Sequence, residues 1–159
     1  MEIGIAATSE LEGILEVLNA ATKKLLDKKV EQWKYPWETV PIEADIREKL
    51  QYSVKSGNRT IAVFSVKDIS CNPWEPEGCD NQCYLYRIAV HPDVQGTGVG
   101  EAIWAWVKAY AEHENKTVYL DCWAGNEKLK AFYSKAGFTH LGEFPEEDYQ
   151  ISVFRYKSN

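Results

Sequence analysis

The stretch YLYRIAVHPDVQGTGVG, residues 84–100, runs from a predicted strand into a glycine-rich loop at the start of a predicted helix. The strand covers residues 84–90, and the helix continues to about residue 113. Residues 117–122, with the sequence TVYLDC, predict the next strand. A strand, a helix and a strand in this order form a βαβ unit, so we expect the two strands to pair in parallel with a right-handed crossover.

The sequence after residue 98 also predicts both ends of a further helix, two final strands and the buried face of the helix that follows the glycine loop. Asn126 is a suitable N-cap for a further helix. Gly137 is expected just beyond its C-terminal end, with Phe138 closing the turn on Tyr133. Two final strands are predicted over residues 138–142 and 149–156. The residues that the helix after the glycine loop is expected to bury are Val99, Ile103, Trp106, Val107 and Tyr110.

The first half of the chain begins with a short predicted strand over residues 2–6. Ser9 and Glu12 have the spacing of a capping box, so a helix is expected to start at Ser9. Two prolines between residues 30 and 41 exclude one continuous helix there. A second helix is expected over residues 42–50.

A hairpin follows, in which residues 52–55 pair with residues 59–67 across the turn Ser56-Gly57-Asn58. A long polar loop covers residues 68–82, and loops of this length are often functional. No internal repeat or domain linker is visible. The elements together indicate one α+β domain with a mixed sheet, covering residues 1–159.

Composition limits the class of protein. The 159 residues carry a formal net charge of −6, and we find no stripe of basic residues, so nucleic-acid binding is not expected. The lysines at positions 23, 24, 28 and 29 have the spacing of one solvated helix face. No signal peptide or membrane-spanning stretch is visible, which predicts a cytoplasmic protein without membrane contact.

The glycine loop from Gln95 to Gly100 is the strongest functional signal. The first turn of a helix has unpaired N–H groups and a partial positive charge, and glycines let the main chain approach an anion. A phosphate or pyrophosphate is therefore the expected ligand. Gln95 could add a side-chain donor at the mouth of the loop. The alternative without a ligand is a tight turn between strand and helix.

Two other phosphate-binding motifs fit this loop poorly. A P-loop requires Gly-Lys-Ser/Thr after its glycines, and here Gly100 is followed by Glu101 and Ala102. The dinucleotide fingerprint requires a third glycine where this chain has Glu101. Asp121 does lie about twenty residues further on, as a ribose-binding acid would. A dinucleotide-binding protein therefore stays open as an alternative.

The four cysteines, Cys71, Cys79, Cys83 and Cys122, do not form a Cys-x-x-Cys pair. A zinc site in the loop that holds three of them is an alternative, but His91 is the only nearby histidine. Reduced cysteines without a metal are the expected state in a cytosolic protein. Cys122 has no evident His/Asp partner, so we expect it to be a small buried residue rather than a nucleophile.

The combination of motifs resembles the GNAT superfamily of N-acetyltransferases. Gln95-x-x-Gly98-x-Gly100 matches the Arg/Gln-x-x-Gly-x-Gly/Ala motif, and residues 88–92 (IAVHP), 123–126 (WAGN) and 131–138 match the phrases around it. The resemblance covers residues 84–142. It implies a three-layer α/β arrangement, with a mixed, mostly antiparallel central sheet of six to seven strands and about four helices.

The resemblance also implies acetyl-coenzyme A as the acetyl donor. The loop amides would bind its pyrophosphate, and the preceding strand and Asn126 would contact the pantetheine arm. Tyr133 matches the tyrosine that faces the sulfur of coenzyme A. The residues assigned in this way to the cofactor are Ile88, Ala89, Val90, Gln95, Gly96, Thr97, Gly98, Val99, Gly100, Glu101, Asn126 and Tyr133.

The chemistry of acetyl transfer to an amine requires no covalent intermediate. A neutral amine can attack a thioester directly once the two groups are aligned, and a strand N–H near Val90 can stabilise the oxyanion. A tyrosine is protonated at neutral pH, so Tyr133 is the predicted acid for the departing thiolate. Three candidates for the general base stay open. They are a chain of water molecules that leads to Glu75, the side chain of His91 and the side chain of Tyr86.

The acceptor is expected to be a primary amine of a small molecule or a peptide. Aromatic residues in irregular segments are candidates for binding it, namely Trp33, Tyr35, Trp37 and Trp74, and Tyr86 on the predicted strand is a further candidate. Acidic neighbours at positions 31, 38, 75 and 77 could hold the amine by charge, together with cation–π contact. The alternative is that these rings pack on the core or form a dimer contact. A homodimer is the default expectation for such folds. A non-catalytic sensor of acyl-coenzyme A is the other functional alternative.

Overall fold

The computed structural model describes residues 1–29, 33–70, 72–76 and 81–157. These residues divide into two compact units. Unit 1 contains residues 1–66 and 86–103, and unit 2 contains residues 67–85 and those from 104 onwards. The interpretation of the chain as a single domain stays a prediction. Within the described residues, no helix is both long enough and apolar enough to span a bilayer.

The described residues form seven strands in one mixed sheet, with the order β1-β2-β3-β4-β5-β7-β6. Strands β4 and β5 pair in parallel, whereas β1 with β2, β2 with β3, β5 with β7 and β6 with β7 are antiparallel. The predicted mixed, mostly antiparallel sheet is therefore confirmed. The strands are β1 (Glu2–Ile5), β2 (Gln51–Ser56), β3 (Arg59–Ile69), β4 (Gln82–Val90), β5 (Thr117–Trp123), β6 (Thr139–Glu146) and β7 (Tyr149–Lys157).

Within the part of the chain that the structure describes, four α-helices accompany the sheet, as expected. They are α1 (Leu11–Asp27), α2 (Thr39–Arg47), α3 (Val99–Glu114) and α4 (Glu127–Lys135). A short 3-10 turn covers Thr8–Glu10 and a second one covers Pro92–Val94. The parallel pairing of β4 with β5 runs from Gln82↔Thr117 to Tyr84↔Tyr119, and it confirms the strand–helix–strand prediction.

The core of unit 1 lies under α1. Ile14, Val17, Leu18 and Ala21 recur at helical spacing and are buried, together with Ile42 and Ile46 of α2 and Ala89 of β4. The predicted capping box is wrong, because Ser9 lies inside the 3-10 turn. The Glu10 carboxylate instead accepts a hydrogen bond from Ala7 N at 2.6 Å. Helix α1 starts at Leu11, two residues after the predicted start.

Helix α2 lies three residues before its predicted position. It starts at Thr39, so Pro41 lies within its first turn. The amide that a proline lacks would be unpaired at that position in any case, so Pro41 does not end the helix there. Treating Pro41 as a boundary therefore displaced the prediction.

The core of unit 2 is aromatic. Trp104 on α3 contacts the edges of Tyr133 and Phe138 at centroid distances of 5.4 and 4.8 Å, and Phe154 on β7 lies 5.4 Å from Tyr133. The buried face of α3 in this unit is Trp104, Val107 and Ala111. The prediction that Trp106 and Tyr110 are buried is wrong. Both are partly exposed and stack on each other at 5.3 Å.

Both predicted caps of α4 are confirmed. The side chain of Asn126 accepts a hydrogen bond from Leu129 N at 3.2 Å. At the other end, Gly137 has a φ of +100°, and Phe138 N donates to Tyr133 O at 3.1 Å. The final hairpin is longer than predicted, because β6 continues to Glu146 beyond an irregularity between His140 and Gly142.

The cap at Gly137 yields a stability prediction. We expect Gly137→Ala to lower the free energy of unfolding by about 1–2 kcal/mol, because an L-residue resists a positive φ. A Cβ at this position meets only the flexible end of Lys108, at 3.5 Å, so the cost should be conformational rather than steric.

Chemical denaturation of the variant and the wild type measures the difference. Gly4→Ala is the matched control, since a Cβ on Gly4 meets nothing within 4 Å and its φ is not positive. We expect this control to lie within about 0.5 kcal/mol of wild type. Equal stabilities of the two variants would contradict the assignment of the cap.

Candidate active site

The glycine loop joins the end of β4 to the start of α3 within unit 1. After the 3-10 turn Pro92–Val94, the chain turns through Gly96 with φ +79° and Gly98 with φ +92°. A Cβ on either residue would meet no atom within 4 Å, so the backbone conformation, not crowding, requires glycine here. Ala102 N then donates to Gly98 O at 3.0 Å, as the helix begins.

This turn presents the unpaired amides of a 16-residue helix at the end of a strand. Local hydrogen bonds fix its shape: the Thr97 hydroxyl donates to Val94 O, and His91 N donates to Ile61 O of β3 at 2.8 Å. The arrangement suits an anion with several oxygens, such as a pyrophosphate.

The side chain of Gln95 faces the strand rather than acting as a donor at the mouth of the loop. Its Nε2 donates to Val90 O at 3.1 Å, and its Oε1 accepts from Lys24 Nζ at 2.7 Å. The predicted side-chain donor is therefore already used within the protein. The main-chain N–H of Gln95 is also used, because it donates to Pro92 O at 3.4 Å.

Lys24 is a residue that sequence analysis missed. It was assigned to a solvated helix face, but the structure brings its ammonium group to the glycine loop through the bond to Gln95. The two residues are 71 positions apart, so no periodicity or local motif links them. A cation at this place adds a full positive charge to the partial charge of the α3 N-terminus.

Tyr133, the predicted acid, lies in unit 2 within the aromatic cluster and is 4% exposed. Burial, with smaller contributions from Cys122 and Asp121, raises the pKa of Tyr133 well above the ordinary value for tyrosine. Its hydroxyl makes no hydrogen bond among the described residues. The group therefore stays protonated at neutral pH, but its raised pKa also makes it a weaker acid than a free tyrosine.

The two described cysteines, Cys83 and Cys122, are buried free thiols in unit 2. Burial raises the pKa of each to about 12, so neither provides a thiolate at neutral pH. This favours the structural interpretation of Cys122. Cys71 and Cys79, the other members of the alternative metal site, lie outside the described residues.

The tryptophans of unit 1 pack on the core. Trp33 and Trp37 meet edge to face at 5.6 Å, and both lie against the buried cluster beneath α1. Trp37 is held from two sides, since its main-chain N donates to Asn19 Oδ1 at 2.8 Å and its Nε1 donates to Thr22 Oγ1 at 2.9 Å. The face of its ring is also occupied, because the Arg87 guanidinium lies 5.8 Å from its centroid.

Tyr86 and Arg87 on β4 share one carboxylate. Tyr86 Oη donates to Asp45 Oδ2 at 2.9 Å, and Arg87 Nη1 donates to the same oxygen at 2.6 Å. Burial and the hydrogen bond to Asp45 raise the pKa of Tyr86, so its hydroxyl is a poor base. Sequence analysis named Tyr86 but gave no role to Asp45 or Arg87.

Trp74 and Glu75 belong to unit 2, on the loop before β4. Trp74 packs near Tyr84 and Tyr119, at 6.0 and 6.1 Å. Glu75 accepts hydrogen bonds from Tyr119 Oη at 2.7 Å and Arg155 Nη1 at 2.6 Å. Burial alone would raise its pKa, but these bonds lower the pKa of Glu75 overall. Two of the other proposed acidic neighbours, Glu31 and Glu77, lie outside the described residues.

His91, a further candidate base, is used by the fold of unit 1. Its Nδ1 accepts a hydrogen bond from Asp93 N at 3.1 Å, which places the proton of a neutral ring on Nε2. That nitrogen lies 3.5 Å from Glu16 Oε1. Both ring nitrogens therefore have protein neighbours, and neither is an open acceptor for a substrate proton.

The model of the acetyltransferase (GNAT) family matches residues 18–138 of this sequence, which is more than half of the chain. The chain belongs to the GNAT acetyltransferase family. This confirms the resemblance that was drawn from residues 84–142. Membership of this family also explains the glycine loop better than a dinucleotide-binding site does, because such a site would require Asp121 to bind ribose. Asp121 instead accepts a hydrogen bond from Tyr84 Oη at 2.7 Å.

Similar proteins support this GNAT assignment. The uncharacterized N-acetyltransferase YesJ of Bacillus subtilis is 31% identical over 70 residues, which is 43% of this chain and 39% of that protein. A GNAT acetyltransferase from Streptococcus agalactiae superposes with a TM-score of 0.81 at 16% identity, over 99% of this chain and 95% of that one. The Escherichia coli ribosomal-protein-S18-alanine N-acetyltransferase gives 0.73 at 18% identity, over 98% and 92%. These structures show that the predicted fold is correct.

The contact of Lys24 with the GNAT loop yields a prediction about coenzyme A binding. We expect Lys24→Gln to weaken binding of coenzyme A about two- to tenfold, because a cation beside the phosphate-binding amides is lost. The loss should shrink as salt is added, since the side chain is exposed. Isothermal titration calorimetry at two ionic strengths measures both effects.

Lys23→Gln is the matched control for this experiment. It removes the same charge from the same helix, at an exposed position next to Lys24. We expect its affinity for coenzyme A to equal that of wild type. Equal weakening by both variants would show that only the overall charge of α1 matters.

Proposed function

We propose that this chain transfers an acetyl group from acetyl-coenzyme A to a primary amine of a small molecule or peptide, by direct attack in a ternary complex. The observation that carries the proposal is the glycine loop, with left-handed Gly96 and Gly98 immediately before the N-terminus of α3. Membership of the GNAT family supports acetyl transfer as the reaction.

The donor would be held from its diphosphate end. The amides from Gly96 to Glu101 bind the pyrophosphate, since the Gln95 amide is paired with Pro92 O, and Lys24 adds positive charge beside them. The strand segment Ile88–Val90 leads directly into this loop, so it offers main-chain groups to the pantetheine arm. Asn126, by resemblance to the family, contacts the same arm while its side chain caps α4.

The chemical step forms one bond and breaks another. The lone pair of the neutral amine attacks the thioester carbonyl carbon, and a strand N–H near Val90 stabilises the negative oxygen. Collapse of this intermediate breaks the C–S bond and releases the thiolate of coenzyme A. Tyr133 donates its proton to that sulfur, the role that its resemblance to the family tyrosine implies. The attacking nitrogen loses its extra proton as the intermediate collapses, and this proton returns the tyrosinate to its neutral form through water.

The proton of the amine leaves by another route. Glu75 is held by Tyr119 and Arg155, and His91 uses both ring nitrogens within unit 1. Tyr86 donates its own proton to Asp45. Because these three candidate bases are occupied, we propose that the amine loses its proton to water before it attacks.

The test of the proposed function is release of the free thiol of coenzyme A in the presence of a panel of amines. We expect thiol release that depends on both acetyl-coenzyme A and one class of amine, with a matching acetylated product by mass spectrometry. Binding of acetyl-coenzyme A without turnover on any amine would favour a non-catalytic sensor instead. Tighter binding of NAD than of coenzyme A would favour the dinucleotide alternative.

The role of Tyr133 is tested by removing only its hydroxyl. We expect Tyr133→Phe to lower kcat about ten- to a thousandfold, because the thiolate then departs without a proton donor. Affinity for coenzyme A should change little. Stopped assays of thiol release give kcat for both proteins.

Tyr156→Phe serves as the matched control. Tyr156 lies next to the same aromatic cluster, 5.7 Å from Phe138, and its hydroxyl makes only a 3.4 Å contact with Glu112. Its loss should leave kcat at the wild-type value. A wild-type rate in Tyr133→Phe would remove Tyr133 from the mechanism.

A further inference from the structure

A group of four side chains in unit 1 has no part in the proposed cofactor site or acid step. Arg87 and Tyr86 of β4, Asp45 of α2 and Trp37 form this guanidinium cluster. Asp45 Oδ2 accepts from both Tyr86 and Arg87, and the guanidinium lies 5.8 Å from the Trp37 ring and 5.2 Å from the Tyr86 ring. Arg87 is thus fixed between one carboxylate and two aromatic rings.

Arg87 has unused capacity for hydrogen bonds. A guanidinium carries five N–H donors, and Asp45 is its one hydrogen-bond partner among the described residues. The side chain of Arg87 is 23% exposed, so part of the guanidinium is accessible. A planar group with several free donors matches a carboxylate, which accepts two parallel hydrogen bonds.

The cluster is rigid before any ligand arrives. Trp37 is held by Asn19 and Thr22 and packs on the core, and Asp45 fixes the orientation of Arg87 from another side. A group that is already ordered loses little entropy when it binds a ligand. An arginine whose only purpose was solubility would not need these supports.

The backbone at Arg87 is strained. Its φ of +51° lies in the left-handed region, which a residue with a side chain adopts only at an energetic cost. The strain occurs inside β4, three positions before Val90. At about 3.3 Å per residue, this places Arg87 roughly 10 Å along the strand from the predicted oxyanion donor.

The cluster is unsuited to a cationic ligand. The Asp45 carboxylate is already neutralised by Arg87 at 2.6 Å, and the face of Trp37 that could attract a cation is taken by the same guanidinium. An ammonium group placed here would meet the positive charge of Arg87. The amine-binding role that sequence analysis gave to Trp37 and Tyr86 therefore does not follow from their contacts.

We propose that Arg87 is a specificity-determining residue that binds a carboxylate of the acceptor, so that the acceptor is an amine which also carries a carboxylate group. Asp45 acts as a positioning residue for Arg87. This inference rests on the proposed acetyl transfer, because it identifies the substrate class of the same reaction. The amine of the acceptor reacts, while its carboxylate anchors the molecule on β4.

The first test compares matched acceptors that differ only in the carboxylate. Amino acids with the amine at different distances from the carboxylate are assayed against their amides, with rates corrected for the neutral fraction of each amine. For at least one pair, we expect kcat/KM to be about ten- to a hundredfold higher for the acid, a typical value for a charged hydrogen-bonded pair. Equal rates for acid and amide in every pair that turns over would overturn the inference.

Variants of Arg87 assign the preference to its side chain. We expect Arg87→Gln to raise KM for the acid to the value for the amide, with little change in kcat or in affinity for coenzyme A, and Arg87→Lys to restore part of the preference. Arg47→Gln is the matched control, since Arg47 is exposed on the same helix as Asp45. Thermal unfolding of each variant checks that it is folded. Equal loss of activity on acid and amide would point to a structural role.

A binding experiment separates failure of this inference from failure of the proposed function. N-acetylated amino acids and their amides are titrated into the wild-type protein saturated with coenzyme A, which requires no turnover. Binding of the acid alone, and its loss in Arg87→Gln, would support the carboxylate site even if no amine were acetylated. If acid and amide bind equally, or neither binds, while amines are acetylated, the reaction stands and the role of Arg87 is wrong.

Discussion

The site depends on the junction where β4 ends and α3 begins. Helix α3 starts directly after Gly98, and both Gly96 and Gly98 have a positive φ, so the chain turns sharply just before the first amides of the helix, which have no partner within it. The same junction is fixed to the neighbouring strand by the bond from His91 N to Ile61 O. A diphosphate site made of main chain depends on backbone conformation more than on side-chain identity. Glycine at these two positions is therefore the main sequence requirement.

Features that are local in sequence could be predicted well. Two of these features are the cap of α4 at Asn126 and the left-handed conformation of Gly137. A third is the two-residue turn that joins β2 to β3. Each of them depends on groups within five residues of one another. Errors arose where a local signal had two readings. Pro41 was treated as a helix boundary, although it lies in the first turn of α2. Trp106 was predicted on the buried face of α3, but Trp104 is the tryptophan that lies there. Helical spacing alone does not decide between adjacent aromatic residues.

The side chains around the candidate site were predicted less well, because their partners are distant in sequence. Lys24 meets Gln95 across 71 positions, and Asp45 meets Arg87 across 42. Such contacts arise when the strands and helices pack, and no spacing rule indicates them. The resemblance to the family supplied the candidate cofactor residues, which lie in its sequence motifs between residues 88 and 133. It gave no role to Lys24, Asp45 or Arg87, which are not part of those motifs.

The sign of the charge that a site attracts is set by its nearest groups, not by the net charge of the chain. The total of −6 favours cations on average, but exposed charges further apart than about 8 Å are largely screened at physiological salt. Within unit 1, Lys24 forms a hydrogen bond with Gln95 of the glycine loop, and Arg87 lies beside Trp37. A ligand at either place would therefore be in direct contact with a cation. Asp45 neutralises Arg87 as an ion pair but leaves most of its N–H donors available. An acidic protein can therefore recognise an anionic cofactor and a carboxylate with the few cations that its fold positions.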